Sequence, residues 1–242
     1  MGKAATVLAM DIGGSHIKAG VFDLNGQGRS PIIKMPTPHP ATPEVVLPVL
    51  LDVVRKLGGD YLAVGFPGVV RRGVTHNAIN LHPAWNGFGL AAILQQETGR
   101  PVRMANDADV QGLGAIAGRG LEVVITLGTG FGSSLFFDGI LVPNLELGQH
   151  PWRDNRTYEE WFGKAGLVTL GEADWRRELN RAIASLDVLF NYDMLYVGGG
   201  NGRLVSPPLP PRVEVIPNDA GLWGGVALWQ RADGTGCDLG LH

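Results

Sequence analysis

Thr6–Asp23 reads TVLAMDIGGSHIKAGVFD, and Glu122–Gly139 reads EVVITLGTGFGSSLFFDG. The two stretches share one grammar: an apolar strand, a tight glycine-rich turn, and a second apolar strand that runs back beside the first. In the first copy the strands are Thr6–Ile12 and Ile17–Asp23 around Gly13-Gly14-Ser15. Asn25-Gly26 is then a hairpin signal and Ser30–Met35 a third strand. In the second copy Glu122–Leu127 and Gly132–Phe137 flank the turn, Asp138-Gly139 is the hairpin, and Ile140–Val142 pairs back. A helix follows each triplet. Such a repeat predicts an α/β fold of two β-rich lobes whose glycine turns face each other across a central cleft. The expected division is 1–110 and 111–242, with the last helix, Ala220–Gln230, packing back on the first lobe.

The stretch Val102–Asp109, VRMANDAD, lies between the two copies. Pro101–Met104 reads as a strand and Asp107–Ala117 as a helix closed by Gly118. Asp107 therefore sits where a strand gives way to a helix N-terminus, the usual place for reactive groups in open α/β sheets. A carboxylate there, between two glycine loops, suits phosphoryl transfer to a hydroxyl. Elsewhere, Thr42 and Pro43 start a helix that runs to Leu57, Tyr61–Phe66 is a buried strand, and Phe88–Thr98 is a helix stopped by Gly99. Residues 77–86 read as an ordered loop, and Leu145–Arg156 as a polar, irregular segment. Thr157 with Glu160 has the form of a capping box. Glu172–Phe190 is the longest helix, Met194–Val197 and Val213–Ile216 are strands, Asn218-Asp219 reads as the cap of the last helix, and the tail from Ala232 reads as frayed.

Composition excludes several classes. The 242 residues are 45% apolar and 18% charged, which is the profile of a globular protein with room for two lobes of about 100–150 residues. A net charge of −3 argues against a nucleic-acid or anionic-membrane partner held by bulk charge. Cys237 is the single cysteine, so neither an intrachain disulfide nor a cysteine-rich zinc cluster is expected. No apolar run is long enough to span a membrane, and MGKAATVLAM is too short for a secretory leader. The cytoplasm is the expected location.

Gly13, Gly14 and Ser15 can present backbone N–H groups to a phosphate, with Lys18 as charge partner. Gly128, Thr129 and Gly130 can do the same from the second copy. Neither loop is a P-loop, because no Gly-Lys-Ser/Thr follows at the required spacing. Asp11 ends its strand beside the first loop and suits a Mg²⁺ ion held through water. Arg71, Arg72, Arg103, Lys164 and Arg203 would serve a polyanion track, with a solvated surface as the default for each. Trp152, Trp161 and Trp175 read as packing or dimer-contact residues.

DIGGSHIKAGVFD, GFPGVV, NAINLHPAW, NDADVQGLGA, LGTGFGSSLFFDG, ELGQH, VGGG and NDAGLWGGVAL occur in the order found in the repressor–ORF–kinase (ROK) sugar kinases of the actin/hexokinase superfamily. The chain resembles that family from about Val7 to Leu228, and most resembles its polyphosphate glucokinase branch. The resemblance implies two ribonuclease-H-like lobes and a hexose kinase acting on glucose, with mannose as a further acceptor and polyphosphate, ATP or both as donor with Mg²⁺. It implies Asp107 as general base for the sugar's 6-hydroxyl and Asn106, Glu146, His150 and Glu159 as sugar ligands, with Glu160 as Glu159's rival. Asn80 and the loop to Gly68 are implied on the sugar side, and Gly199, Gly200 and Gly221–Gly225 on the donor side. A homodimer is also implied.

Three departures stand out. The family's cysteine-containing zinc site is missing from Pro151–Tyr158. Gln149 lengthens the Glu-x-Gly-His spacing by one residue, which calls for a bulge at His150. The segment after Gly200, NGRLVSPPLPPRV, is short and proline-rich, and a trimmed adenine pocket favours polyphosphate. The competing readings are a sugar-responsive repressor, disfavoured because only about ten residues precede Asp11, and a catalytically idle sugar sensor.

Overall fold

The computed structural model describes residues 4–205, 209–216 and 220–230. Asn218-Asp219, Cys237 and the tail from Ala232 lie outside the described residues. Ala115–Asn218 forms one compact unit and the segments on either side of it form the other.

The first unit begins with β1 (Thr6–Ile12), β2 (His16–Asp23), β3 (Ile33–Pro36), α1 (Pro43–Leu57) and β4 (Tyr61–Phe66). It continues through the small ribbon β5 (Val69–Arg71) and β6 (Val74–His76), then α2 (Leu90–Thr98), β7 (Val102–Asn106) and α3 (Asp107–Leu113). The main sheet has the order β3-β2-β1-β4-β7. Its first three strands are antiparallel, and β1, β4 and β7 are parallel. Because strand side chains alternate between faces, Leu8, Met10 and Ile12 all join one core, with Val46, Leu50 and Val53 of α1 and Leu94 of α2. Ala9 and Phe22 point the other way.

The second unit repeats that order. Its strands are β8 (Leu121–Leu127), β9 (Phe131–Phe137), β10 (Ile140–Val142), the ribbon β11 (Pro151–Arg153) and β12 (Arg156–Thr157), β13 (Met194–Gly198) and β14 (Val213–Val215). Its helices are α4 (Tyr158–Phe162), α5 (Lys164–Leu170) and α6 (Glu172–Phe190). The sheet runs β10-β9-β8-β13-β14, again with three antiparallel strands followed by parallel ones. Val123, Ile125, Leu195 and Val197 pack against Leu179, Ala182, Ile183 and Leu186 of α6.

The chain then returns to the first unit with α7 (Ala220–Gln230). Leu222 and Val226 cover Ala9 and Phe22. Small residues permit the close approach. A Cβ on Gly225 would lie 2.8 Å from the Ala9 Cβ, and one on Gly224 would land on the Val110 carbonyl oxygen of α3. The end of α7 is held by Trp229, which stacks on Tyr61 at 4.5 Å and carries the Arg103 guanidinium 4.3 Å above its ring.

Two local expectations are corrected. First, α3 stops at Leu113 and not at Ala117. The amides of Ala117, Gly118 and Arg119 instead donate to the buried Glu122 carboxylate at 2.8–3.0 Å, and the Tyr196 hydroxyl donates to it at 3.1 Å. A carboxylate that takes three successive amides competes directly with the helical ladder. Second, the irregular segment 145–156 contains the β11–β12 hairpin, whose Asp154-Asn155 turn has φ of 54° and 55°. Lys164–Leu170, between the two expected helices of this unit, is a further helix. No described helix is long and apolar enough to cross a membrane.

Candidate active site

In the first unit, Asp11 pairs in register with Gly65, and Gly65 with Ala105. A Cβ built on Gly65 would touch Asp11 Oδ1 at 3.5 Å and the Asp107 Cα at 3.7 Å. Asp11 and Asp107 therefore stand side by side at the strand ends with a glycine as spacer, and a side chain larger than methyl would push them apart. Lys18, opposite Asp11 on β2, places its Nζ 3.8 Å from the carboxylate. Burial pushes the Asp11 carboxyl above its ordinary range, and Lys18 pulls partly back. The start of α7 lies close by, with a Cβ on Gly221 4.0 Å from Asp11 Oδ2.

Asp107 opens α3, and its Oδ1 accepts the Ala108 amide at 2.8 Å. The strand before it runs two residues beyond Met104, so Asn106 is both the end of β7 and the cap of α3. Its side-chain oxygen accepts from the amides of Ala108 and Asp109, while its Nδ2 donates to the Gly68 carbonyl at 3.1 Å. Asn106 thereby fixes both Asp107 and the Gly65–Gly68 loop. Gly68 itself packs so tightly that a Cβ would lie 2.7 Å from the His76 carbonyl oxygen.

The first glycine turn is partly consumed by its own hairpin. Gly13 donates to the His16 carbonyl at 2.9 Å, which removes its N–H from the expected phosphate cradle and leaves Gly14 and Ser15. Thr37, not anticipated from sequence, secures the turn by donating its hydroxyl to the Gly13 carbonyl at 2.5 Å and its amide to the Ser15 carbonyl at 3.0 Å. A Cβ on Gly14 would lie 2.8 Å from the Asn80 carbonyl oxygen, so the phosphate turn and Asn80 are neighbours.

In the second unit, Ser133 of β9 accepts from the Leu147 amide and donates to the Leu145 carbonyl, which straps the Glu146 segment to the sheet. Leu147–Gln149 is a single 3₁₀ turn, and this turn absorbs the extra residue before His150. The exposed His150 is held through its backbone, with its carbonyl accepting the Tyr158 amide at 3.1 Å. The Glu pair at the start of α4 is separated by capping chemistry. Glu160 accepts from the Thr157 amide at 2.7 Å in a complete capping box. Glu159 faces inward, where its Oε2 accepts the Phe131 amide at 3.3 Å. Burial, reinforced by the negative charge of Glu159, pushes the Glu146 carboxyl up.

The second glycine turn is supported on several sides. Gly128 donates to the Gly130 carbonyl at 3.1 Å, which takes its N–H out of the expected phosphate cradle as at Gly13, while Lys164 donates its amide to the Thr129 carbonyl at 3.1 Å and Asn201 its amide to the Leu127 carbonyl at 2.8 Å. Asn201 Nδ2 also reaches the Gly128 carbonyl at 3.4 Å. Gly199, at φ 81°, lies against the Leu127 backbone, whereas Gly200 faces open space. Asn201 is a site residue missed from sequence; its signal was an amide side chain directly after three glycines. Among the described residues, no group of three His, Cys, Asp or Glu side chains is arranged to hold a metal ion.

Two ribonuclease-H-like sheets, each with a glycine turn after its first strand, and an aspartate pair at the strand ends define the actin/hexokinase class of α/β proteins. The ROK family model matches residues 7–144, and the chain belongs to the ROK family. It is 35% identical to a polyphosphate glucokinase of Mycobacterium tuberculosis (strain CDC 1551 / Oshkosh), over 93% of this chain and 91% of that one. Among solved structures, the inorganic polyphosphate/ATP-glucomannokinase of Arthrobacter sp. strain KM is 35% identical with a TM-score of 0.83, covering 92% of this chain and 97% of that chain. A ROK glucokinase from Streptomyces griseus, solved with glucose and AMPPNP, shares the fold at 22% identity and a TM-score of 0.78, over 93% and 99% of the two chains.

Proposed function

We propose that this protein is a hexose kinase that transfers a phosphoryl group from polyphosphate or ATP to the 6-hydroxyl of glucose, and of mannose as a second acceptor. The observation that carries the reading is Asp107, the first residue of α3, held by the Asn106 cap and standing beside Asp11 with Gly65 as spacer. Identity to the M. tuberculosis polyphosphate glucokinase over nearly the whole chain supports it.

In this mechanism Asp107 accepts the 6-hydroxyl proton as that oxygen bonds to the terminal phosphorus and the bridging P–O bond of the donor breaks. The products are the hexose 6-phosphate and a donor shorter by one phosphoryl group. An ordinary carboxylate suffices, because the hydroxyl becomes acidic only as the new bond forms. Asn80, Asn106, the Gly68 loop, Glu146, His150 and Glu159 would supply the donors and acceptors that an uncharged sugar requires. Gly14, Ser15 and Lys18, with Thr129, Gly130, Gly199 and Gly200, serve the donor phosphates. Asp11, with its carboxyl raised by burial, fits a water-bridged Mg²⁺ ion, which when bound neutralises charge on the transferring phosphates.

We place the protein in the cytoplasm as a homodimer, the latter supported by the exposed Phe137, Ile140 and Val142 on the β9–β10 edge; light scattering at micromolar concentration checks it. The decisive experiment measures glucose 6-phosphate formation with Mg²⁺, comparing ATP with long-chain polyphosphate. Activity with polyphosphate supports the full reading, and activity with ATP alone removes the polyphosphate part of it. Glucose binding without turnover of either donor replaces the kinase with a sugar sensor.

A further inference from the structure

Glu159 acts on two parts of the second unit that have different tasks, by charge on one and by a hydrogen bond on the other. On one side its charge reaches Glu146 of the sugar motif. On the other its Oε2 accepts the N–H of Phe131, the residue that closes the Gly128–Gly130 turn. The next helix, α5, is tied to that turn as well, because the amide of its first residue, Lys164, donates to the Thr129 carbonyl. The fit is close: a Cβ on Gly163, which joins α4 to α5, would lie 2.7 Å from the Glu159 carbonyl oxygen and 2.9 Å from that of Thr129.

A carboxylate on a backbone amide of a phosphate-binding turn occupies the place of an anion. Backbone N–H groups in such turns are the groups that phosphate oxygens use, and a fixed negative charge beside them opposes a second anion. We propose that Glu159 is a positioning residue that couples the two substrates, masking the Phe131 amide until sugar hydroxyls draw its carboxylate away and so making donor binding depend on the hexose. This inference rests on the hexose-kinase reading above and deepens it: order of binding is built into one side chain. The benefit is chemical. A donor phosphoanhydride held without an acceptor is exposed to water, and a turn that engages phosphate fully only after the sugar arrives limits that loss.

The coupling is measurable without turnover. Titration calorimetry gives the affinity for Mg²⁺–tripolyphosphate, and separately for an imido analogue of ATP with Mg²⁺, with and without saturating 6-deoxyglucose, which lacks the reacting hydroxyl. In the native protein the sugar strengthens donor affinity about fivefold or more, within the usual range of coupling between sites. In Glu159→Ala the sugar-free donor affinity rises to near the sugar-bound native value, and the coupling factor falls to within about twofold of one. Glu159→Gln, which keeps the shape and loses the charge, shifts in the same direction. Glu146→Gln weakens the sugar yet retains the native factor once sugar is saturating. In NMR the Phe131 amide resonance moves on addition of 6-deoxyglucose in the native protein and stays put in Glu159→Ala. A native coupling factor near one, or a native-like factor in either Glu159 variant, overturns the inference and leaves the kinase reading standing. Failure to bind any hexose overturns the kinase reading itself.

Discussion

At the scale of single residues, two carboxylates give contrasting expectations. Asp107→Asn keeps an acceptor for the Ala108 amide but cannot take a proton, so kcat should fall about 10²–10⁴-fold while hexose affinity changes little. Steady-state kinetics with a separate sugar-binding titration checks this, and a variant with native kcat would place the base elsewhere. Glu146 predicts a stability effect. Its carboxyl is raised from an ordinary 4.5, first by burial and then by Glu159. A raised carboxyl gives the folded state the tighter hold on the proton, so the associated stability is present below the ordinary value and lost as pH rises through the folded one. Glu146→Gln should therefore melt higher than the native protein at pH 7, with the difference closing below about pH 4. Thermal melts across that range decide it.

At the scale of elements, capping and end-stopping carry most of the specification. Removing the Thr157 cap with Thr157→Ala should cost about 1 kcal/mol in urea unfolding. It also loosens the start of α4, and with it Glu159. Glu122→Ala strips the acceptor from three amides and one tyrosine hydroxyl and should cost about 3 kcal/mol, read as a lower urea midpoint at unchanged slope. The same residues show what was legible in the sequence. The Thr157–Glu160 box and the Gly99 stop are local signals, and each element fell where they pointed. The end of α3 was not legible, because the group that terminates it, Glu122, reaches back from the following strand. The helix α5 went unread; within it, the missing side chain of Gly166 is what allows the backbone onto the Trp161 carbonyl. In the candidate site, Asp11, Asp107 and both glycine turns could be picked out because residue type and spacing mark them. Thr37 and Asn201 act through contacts between segments distant in sequence; no local pattern marks Thr37, and only its place after three glycines marks Asn201.

At the scale of the whole molecule, the two units are built to one plan but are closed differently. The second is one continuous stretch of chain, whereas the first needs α7 to cover Ala9 and Phe22 and to support α3. Gly224→Val, which forces a branched side chain onto the Val110 carbonyl, should destabilise the first unit by about 3 kcal/mol. Hydrogen exchange should show the loss of protection concentrated in β1, β4 and α3, with α6 and β13 retaining theirs. Uniform loss across both units would mean that the two unfold as one.

The closing role of α7 also sets an order of events during synthesis. Chain growth is slow, and domains fold as units while it proceeds. The strands of the first sheet leave the ribosome early, but the helix that completes their second face follows the entire second unit. The nascent protein must therefore carry an open sheet face through the making of more than a hundred residues, so the part that begins first is finished last.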